Sequence, residues 1–484
     1  MTIILNRYHD EKYRKDYWEP IIGIYLRRFI TNYLFLNKIN KKKLFKKANY
    51  KNFFFHKSYS DYAERNNHSF YKFKNIDNCE NYKLKKNNFL LKKINTINSI
   101  FPNILITLGI TKIFFQESYF KKNFKILFSL KSNFYFNSLP SLKFGNYKTN
   151  KERIFKNRLN LIKIYETKNK QDFLLQNMVF SMPINYLENY KVILNEVKKI
   201  NLSEAIYIDG NEVKFDFIKF YIAELILKKK KILTGQHSLR TGLEDNDIDY
   251  DYSKSISDFY LTWGWGSKLN LIIKNSSIRI LSSLNKYKRV KSIKNNGFNV
   301  CFILCSFSKV GSCFADNYRE NLKAEKARIV LLNKMQKQKN YEITLKPRHG
   351  SFLIKDKNKF YSKFNLLKEK SRMYEIFGNY NVIVFERVSL GIAECIYLNQ
   401  PTIFYYPKNL YKQKNKEYNN LLLLLKKANI YFDDKKKVLK LLSSKKNISL
   451  WWNNKKNLKN RKIFLKKYAK CFEYNDFNKI KKLV

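Results

Sequence analysis

The sequence predicts an α/β protein with two successive doubly wound parallel sheets, preceded by a helical segment. Two stretches of alternating strands and helices predict it, one over residues 204–266 and the other from about 298 to 433. A polar, Lys-rich stretch at 285–297 separates them. Because strands joined by a crossover helix pair in parallel, repeated alternation of this kind indicates open parallel sheets.

The N-terminal part of the chain is only partly assigned. Residues 11–38 are predicted to be helical, because apolar residues recur there at three- and four-residue steps. Pro20 is expected near a helix start or a kink. Residues 40–170 mix Lys, Asn and Phe with weak periodicity and receive no assignment. Helices are expected on both sides of Pro183.

The first alternating stretch contains two short strands that end in Gly turns, EAIYIDG (204–210) and KILTG (231–235). The apolar face of residues 211–230 predicts the crossover helix between them. Residues 258–266, DFYLTWGWG, are predicted to form a further strand and turn. These elements make one βαβ unit with a third strand beside it.

The second stretch repeats the alternation over a longer distance. Its predicted elements are strands at 299–307, 341–347, 381–386, 401–407 and 429–433, with helices at 317–338, near 356–371 and at 389–400. Residues 450–474 are predicted to form a helical tail. We therefore expect three parts: an N-terminal domain over 1–290 whose Rossmann-like portion is 171–290, a second domain over 298–445, and the tail 446–484.

Length and composition limit the classes of protein. A chain of 484 residues exceeds one ordinary core, and 44% hydrophobic content argues against wholesale disorder. The six cysteines show neither paired metal spacing nor a disulfide framework, which favours a reducing compartment. The N-terminus does not resemble a secretory signal, and no stretch has the roughly 20 apolar residues of a spanning helix. A cytoplasmic location is therefore expected.

The formal net charge of +57 has two readings. The excess is nearly all Lys and accompanies abundant Asn, Ile, Phe and Tyr, which have A/T-rich codons, so drift in base composition would produce it. The alternative is attraction to anionic partners. Among these, an anionic membrane surface or a sugar phosphate ranks above nucleic acid, because Arg, which makes bidentate contacts to phosphates and bases, is sparse.

One of the five histidines, His237, lies in a Gly-flanked turn two residues after the strand KILTG. At the carboxyl end of a parallel strand its imidazole would face the usual ligand site of such folds. An ordinary imidazole pKa near ~6.5 suits a general base at neutral pH. The alternative is a loop histidine bonded to the backbone.

Two further clusters follow strands of the second stretch. Lys346, Arg348 and His349 come directly after one strand and could hold a diphosphate through charge-assisted hydrogen bonds, although chance basic runs are common in so basic a chain. Ser389 is a candidate N-cap of a helix whose free N–H groups would bind an anion. Glu394, one turn further on, could accept hydrogen bonds from ribose hydroxyls or serve as a capping-box glutamate.

The only acidic island, LEDNDIDYD (243–251), places three aspartates at alternate positions. Oxygen ligands at Asp247, Asp249 and Asp251 could hold a divalent cation, but a solvated loop is the favoured reading. No His/Cys metal constellation, phosphate-binding P-loop or nucleophile-elbow motif occurs in the sequence. We therefore expect no metal and no cofactor.

Four quoted stretches carry a family resemblance. They are YRKDYWEPIIGIYLRRFI (13–30), KILTGQHSLRTG (231–242), ISDFYLTWGWG (256–266) and GIAECIYLNQPTIFYY (391–406). In this order they resemble a bacterial family of transferases associated with surface-carbohydrate gene sets. Thr-Trp-Gly-Trp near a Gln-His turn is the most specific piece. The chain departs from the family pattern at Ser238, where a Gly is expected after the histidine.

The resemblance implies a GT-B-like fold, with two Rossmann-like domains facing a cleft. It places acceptor elements in the first half and a nucleotide-activated donor in the second. In this carry-over His237 becomes the catalytic base, while Gly235 and Gln236 line the cleft beside it. Trp263 and Trp265 become cleft-wall or sugar-stacking residues, with core packing as the alternative. The donor-binding residues are Lys346, Arg348, His349, Ser389 and Glu394.

The resulting hypothesis is a metal-independent, glycosyltransferase-like enzyme. It would move a sugar or sugar-like phosphate from a nucleotide-linked donor to a surface-polysaccharide or lipid-linked acceptor. Its expected location is cytoplasmic, with peripheral attachment to the inner face of the plasma membrane as an open alternative. Two rival hypotheses remain: a non-catalytic protein that binds RNA or an anionic membrane, and a nucleotide-sugar epimerase on the same fold.

Overall fold

The structure of the chain is a computed structural model, and it describes residues 1–39, 104–116, 122–139, 158, 160, 178–179, 182–209, 215–245, 247–266, 269–285, 297–304, 318–338, 341–347, 360–368, 373, 376–407 and 415–484. Within these residues the predicted fold class is confirmed. The chain forms two six-stranded sheets with flanking helices. Every strand pair whose register is defined is parallel.

The first sheet consists of strands from the first 274 residues. They are β1 (Ile113–Gln116), β2 (Phe136–Ser138), β3 (Ala205–Ile208), β4 (Lys231–Gly235), β5 (Phe259–Thr262) and β6 (Ile272–Lys274). Their order across the sheet is β2-β1-β3-β4-β5-β6. All four residues of β3 are buried, as expected for a central strand of a parallel sheet covered on both faces.

Seven helices accompany this sheet in the described residues. They are α1 (Thr2–His9), α2 (Lys15–Ile39), α3 (Lys122–Lys131), α4 (Tyr190–Val197), α5 (Asp216–Leu227), α6 (Ile248–Ser255) and α7 (Ile278–Leu284). Helix α5 is the predicted crossover between β3 and β4, and α2 packs against it. Pro20 lies inside α2, and its carbonyl oxygen accepts a hydrogen bond from Tyr252.

The Tyr-Trp start of α2 forms an aromatic cluster in the interior. Trp18 is 1% exposed, and its indole Nε1 donates to Asn6 Oδ1 at 2.7 Å. The His9 ring stacks on Trp18 and contacts the ring of Tyr190 at a centroid distance of 4.1 Å. Tyr17 and Tyr190 share a hydrogen bond of 2.7 Å between their hydroxyls. This part of the family pattern is therefore core.

The second sheet contains the strands of the second alternating stretch. They are β7 (Asn299–Ile303), β8 (Glu342–Lys346), β9 (Asn365–Leu366), β10 (Val382–Phe385), β11 (Thr402–Tyr405) and β12 (Tyr431–Phe432). Their order is β12-β11-β10-β7-β8-β9. Central β7 pairs in parallel with β8 and β10, so Ile303 lies opposite both Lys346 and Phe385. The carboxyl ends of these three strands thus meet at one edge.

Seven helices follow among the described residues of the second half. They are α8 (Tyr318–Lys337), α9 (Leu390–Tyr397), α10 (Lys416–Lys427), α11 (Lys435–Leu441), α12 (Lys445–Trp452), α13 (Lys455–Tyr468) and α14 (Phe477–Lys481). The side chains of Ser444 and Asn454 cap α12 and α13. Across the parts of the chain described above, none of the helices combines the length and apolar character needed to cross a bilayer.

Two sequence assignments differ from the structure. The helix predicted near 356–371 is wrong over residues 360–368, which form a 3-10 turn (Tyr361–Lys363) and strand β9. Here Leu367 N donates to Leu345 O, so the segment adds an edge strand to β8. A local periodicity cannot show such a long-range pairing. Strand β6 also had no predicted counterpart, and β1, α3 and β2 lie in the stretch left unassigned.

The chain divides into two compact units. The first comprises Met1–Gly235, Asp251–Tyr260 and Lys482–Val484, and the second comprises Gln236–Tyr250 and Leu261–Lys481. The second unit therefore holds the Gln-His turn and the Thr-Trp-Gly-Trp stretch together with the whole second sheet. The domain limits expected from the sequence, 1–290, 298–445 and 446–484, stay a prediction.

Candidate active site

The turn after β4 begins at Gly235, where any added side chain would have to displace a neighbouring tyrosine. A Cβ added there would lie 2.4 Å from the hydroxyl oxygen of Tyr207, which is on the neighbouring strand β3. The register that places Ile208 opposite Thr234 brings Asp209, the residue after β3, beside Gly235. Asp209 is 0% exposed, so a buried carboxylate follows β3 at the same edge of the sheet.

Gln236 connects this turn to the Thr-Trp-Gly-Trp stretch. Its Oε1 accepts from the backbone N–H of Trp263 at 2.9 Å and from the indole Nε1–H of Trp265 at 2.7 Å. Its Nε2 donates to the Ser238 carbonyl oxygen at 2.7 Å. Because Gln236 is 0% exposed, its amide holds the turn in place in this structure.

The two tryptophans are interior residues in this structure. Trp263 is 1% exposed and Trp265 is 4% exposed, which agrees with the packing alternative left open above. Their sugar-stacking role stays a prediction. Between them, Gly264 has φ +119°, and an added Cβ would lie 2.7 Å from the Lys466 carbonyl oxygen at the end of α13. The C-terminal tail thus packs against the backbone of this stretch, where Lys470 N also donates to Trp263 O at 3.0 Å.

The side chain of His237 is half-buried and contacts the guanidinium of Arg279. Nη1 of Arg279 lies 2.8 Å from Nδ1 and 3.2 Å from Nε2 of the ring, and it donates to the His237 carbonyl oxygen at 2.9 Å. The guanidinium stays protonated. A charged guanidinium therefore holds both the ring and the backbone of His237.

Arg279 lies in the first turn of α7, which is anchored on both sides. Ser277 is the N-cap, and its hydroxyl accepts from the backbone N–H of Ile280. The neighbouring Ser276 hydroxyl donates to Asp476 Oδ2 at 2.7 Å. Burial would raise the pKa of Asp476, but hydrogen bonds from Lys479 and Ser276 outweigh it and lower that pKa to about 2. An ionised carboxylate thus holds the strand-to-helix turn that supplies Arg279.

Helix α7 packs against α9, the helix that carries the predicted donor contacts. Ser389 is the N-cap residue of α9, but its side chain makes no capping hydrogen bond. Gly391 is buried, and a Cβ there would lie 2.8 Å from the Phe385 ring. Glu394 is 5% exposed. The histidine turn and the predicted donor helix are therefore connected through α7.

The basic cluster is only partly described. Lys346 ends β8, is 7% exposed, and its Nζ donates to the Pro347 carbonyl oxygen at 3.4 Å. Arg348 and His349 lie outside the described residues. Lys346 thus ends its strand at the same edge as β7 and β10, as the sequence predicted, and its contact with a donor stays a prediction.

The acidic residues at 243–251 make hydrogen bonds and an ion pair within the loop that follows His237. Asp247 accepts from the backbone N–H of Gly242 at 3.0 Å and from that of Tyr250 at 3.1 Å. Burial, with the nearby charge of Asp249, raises the pKa of Asp247 to about 6. Arg240 and Glu244 form an ion pair of 2.8 Å across the same loop. In the described part of the chain, no group of three His, Cys, Asp or Glu side chains gathers as a metal site.

Two features of this region have no counterpart in the sequence prediction. Arg279 was missed because β6 was missed, although the Ser-Ser pair before Ile278 is a typical helix-start signal. The second is a buried network after β10, where Glu386 forms an ion pair with Arg328 of α8, and Arg328 also donates to the Tyr361 hydroxyl at 3.0 Å. No local pattern indicates either pairing.

Comparison with known proteins identifies a family whose sequence model matches this chain. The model of a family described as LIC12162 family transferase matches residues 1–479. No curated protein matches the sequence.

Several solved structures are similar to this chain at low sequence identity and low TM-score. UDP-GlcNAc 2-epimerase from Methanocaldococcus jannaschii is 13% identical, with 80% of this chain and 97% of that chain covered and a TM-score of 0.36. The wall teichoic acid polymerase TagF, in a variant soaked with CDPG, is 10% identical, with 81% and 97% covered and a TM-score of 0.36. SsfS6, a glycosyltransferase from Streptomyces sp. SF2575, is 8% identical, with 80% and 95% covered and a TM-score of 0.30. Similarity at this level assigns no activity.

Proposed function

The chain belongs to the LIC12162 family of transferases, and on that premise we propose that it is a glycosyltransferase-like enzyme. It moves a sugar or sugar-like phosphate from a nucleotide-activated donor to an acceptor. The acceptor is a surface polysaccharide under construction or a lipid-linked precursor of one. We propose that the reaction takes place in the bacterial cytoplasm or at the inner face of the plasma membrane.

One observation supports this proposal above the others. A half-buried histidine follows a parallel strand, and the cation that contacts it is on a helix that packs against α9. The histidine can act as a proton acceptor, and a helix whose N-cap side chain makes no capping bond can bind an anion. The proposed transfer from a nucleotide-linked donor uses one group of each kind.

The proposed reaction is a direct displacement. His237 accepts the proton of the acceptor hydroxyl as its oxygen attacks the donor. For a sugar the attack is on the anomeric carbon, and for a sugar-like phosphate it is on phosphorus. The bond from that atom to the oxygen of the leaving nucleotide breaks, and the nucleotide takes the electron pair. The negative charge that develops on its phosphate requires stabilisation. Electrostatic stabilisation of this kind is usually the largest single contribution to the rate enhancement of an enzyme.

The groups proposed for that stabilisation lie at the carboxyl ends of the second sheet. Lys346, Arg348 and His349 supply positive charge, and the N–H groups at the start of α9 supply hydrogen bonds. The Ser389 hydroxyl, which makes no capping bond, is proposed to donate to the donor phosphate. Glu394 is proposed to accept from ribose hydroxyls. No metal ion takes part in this scheme.

A thermal-shift screen with CDP-, UDP-, GDP- and CMP-linked compounds tests the donor site. A compound that binds only the folded chain stabilises it by RT ln(1 + [L]/Kd), so one nucleotide class should raise Tm in a concentration-dependent way. Ser389→Ala should reduce that shift. Ser449→Ala, at an exposed position of α12, is the matched control and should leave it unchanged.

The same screen separates the rival functions. If none of the compounds raises Tm, the donor site is wrong. Conversion of a nucleotide sugar into its isomer without any acceptor would identify the epimerase alternative. Release of the free nucleotide that requires a glycan or lipid-linked acceptor would support the transferase.

A further inference from the structure

The three helices α11, α12 and α13 lie in a segment without any acidic residue. Residues 435–472 contain 13 Lys and one Arg but no Asp or Glu. The whole chain has 39 acidic residues in 484, which corresponds to about three in any 38 residues. The segment is therefore more one-sided in charge than the rest of an already basic chain.

Helix α13 separates its residues into two faces. Asn457, Arg461, Phe464 and Tyr468 are buried, and α13 packs against α10. The opposite face is exposed and also repeats at three- and four-residue steps. It carries Lys455, Leu458, Lys459, Lys462, Ile463 and Lys466. Leu458 is 37% exposed and Ile463 is 43% exposed, so two large apolar side chains lie among lysines on the outer face.

The two preceding helices extend this composition. Leu450 of α12 is 64% exposed and lies one turn after the exposed Lys446. Helix α11 exposes three lysines, and α12 packs against both α11 and α13. We call the exposed side chains of α11–α13 the basic helical surface. It combines dense positive charge with three exposed apolar side chains, Leu450, Leu458 and Ile463.

We propose that the basic helical surface docks on an anionic lipid bilayer. Its lysines contact the lipid phosphates, and Leu450, Leu458 and Ile463 enter the boundary between headgroups and acyl chains. Helices that lie in a membrane interface have this combination of a Lys-rich face and exposed aliphatic side chains. Basic residues close to an anionic leaflet each strengthen binding by about 1 kcal/mol, or about fivefold.

Nucleic acid fits this surface less well than lipid does. The single arginine of the segment, Arg461, is 3% exposed and lies over the Trp452 ring at 3.6 Å, so its guanidinium does not face the solvent. The aromatic rings of the three helices are buried, whereas proteins that bind single strands stack bases on exposed rings. Lipid phosphate needs only point charges, which lysine provides.

This proposal concerns where the chain is held and not what it transfers, so it is independent of the proposed reaction. The test is co-sedimentation of the full chain with vesicles of phosphatidylcholine, with and without phosphatidylglycerol. Binding is expected only to the anionic vesicles, and added salt should weaken it because exposed charges are screened.

A charge-matched pair of variants locates the surface. Lys455, Lys459, Lys462 and Lys466 are changed together to Gln on α13. The control changes four exposed lysines of the first compact unit to Gln, namely Lys12, Lys191, Lys198 and Lys228. Both variants lose the same net charge. The α13 variant should bind anionic vesicles at least about tenfold more weakly, and the control should retain most of its binding.

A second pair tests the apolar side chains. Leu458→Ser with Ile463→Ser should weaken the binding that persists at high salt, where apolar burial rather than charge attraction holds the chain. Val192→Ser with Leu227→Ser is the control, since these side chains are 37% and 40% exposed in the first unit. Far-ultraviolet circular dichroism confirms that each variant is folded.

Two results would overturn the proposal. Equal losses in the two lysine variants would show that binding follows the net charge of the chain and not this surface. Poly(U) binding that is tighter than vesicle binding, and that is lost in the α13 variant, would identify a nucleic-acid surface instead.

Discussion

Two histidines of this chain, His9 and His237, have different surroundings. His9 is 3% exposed, contacts the rings of Trp18 and Tyr190, and its Nε2–H donates to the Tyr186 carbonyl oxygen at 3.0 Å. Its burial, aided by the charge of Lys191, lowers the pKa of His9 to about 4. His237 is half-buried, and the group that contacts its ring is a guanidinium.

This difference in surroundings supports His237, and not His9, as the proposed general base. The ring of His9 is enclosed by aromatic side chains, so its neutral state serves packing. The ring of His237 is part of a turn that Gln236 and Gly235 hold in place, and the residues around that turn carry charge. The Tyr-Trp helix thus builds the interior, and the Gln-His turn presents a half-buried imidazole, which we propose as the reactive group.

The largest expected effect comes from His237→Ala. Loss of a general base typically costs about 10²–10⁴-fold in turnover. The free energy of unfolding should change by less than about 1 kcal/mol, because a half-buried loop side chain is removed. Nucleotide release with a responsive acceptor measures the first quantity, and urea unfolding measures the second.

The effect of His237→Ala is compared with that of a substitution at the neighbouring Arg279. Arg279→Lys retains a positive charge but loses the planar fork, so it should reduce turnover less than His237→Ala does. A His237→Ala enzyme that keeps full turnover would remove the histidine from the mechanism, whatever the arginine variant does.

Gln236→Leu should lower the stability of the folded chain, because Gln236 holds the turn after β4. It leaves the backbone N–H of Trp263 and the indole N–H of Trp265 buried without their acceptor, at about 1–3 kcal/mol each. We expect the free energy of unfolding to fall by about 4 kcal/mol and turnover to fall as well. Equilibrium unfolding in urea checks the stability.

A second buried glutamine provides the matched comparison. Gln400 is 0% exposed and bonds to Gly378 N at 3.0 Å and to Tyr380 O at 2.8 Å. Gln400→Leu should destabilise the chain while the folded fraction keeps its kinetic parameters. If Gln236→Leu shows the same pattern, the turn after β4 does not position the reactive histidine.

The smallest expected effect is a change in the pH dependence of stability. In the unfolded chain His9 takes up a proton near pH ~6.5. In the folded chain it does so only near pH 4, because folding lowers the pKa of His9 to about 4. Because the unfolded state binds the proton first, stability is lost as the pH falls from about 6.5 to 4, by about 3 kcal/mol in total. His9→Gln keeps an N–H donor for Tyr186 O but removes the titrating ring, so it should flatten this part of the curve.

Chemical unfolding between pH 4 and 7 measures that curve for both proteins. His237→Gln is the control, since it makes the same substitution at a half-buried histidine outside the aromatic cluster. A wild-type curve identical to that of His9→Gln would show that the His9 ring is hydrated in solution.

Much of the fold was predictable from local pattern. The strands at β3, β4, β7, β8, β10 and β11 and the crossover helix α5 follow from apolar runs and periodicity within short windows. The pattern failed where it was weak or ambiguous: β1 and β2 lie in a Lys/Asn/Phe mixture, and the apolar residues near 360–366 suit an edge strand as well as a helix. Short edge strands depend on their neighbours and carry little signal of their own.

The sequence alone determined that the chain alternates strands and helices, that Lys346 lies at the end of a strand, and that His237 and Ser389 follow strands. It could do so because hydrophobic periodicity and turn residues act over a few positions. Only the tertiary structure decided what these residues contact. Arg279 reaches His237 across 42 positions and Trp265 reaches Gln236 across 29. Such partners are chosen by how the strands and helices pack, and the free energy of burying a polar group with its partner depends on that packing and not on its sequence neighbours.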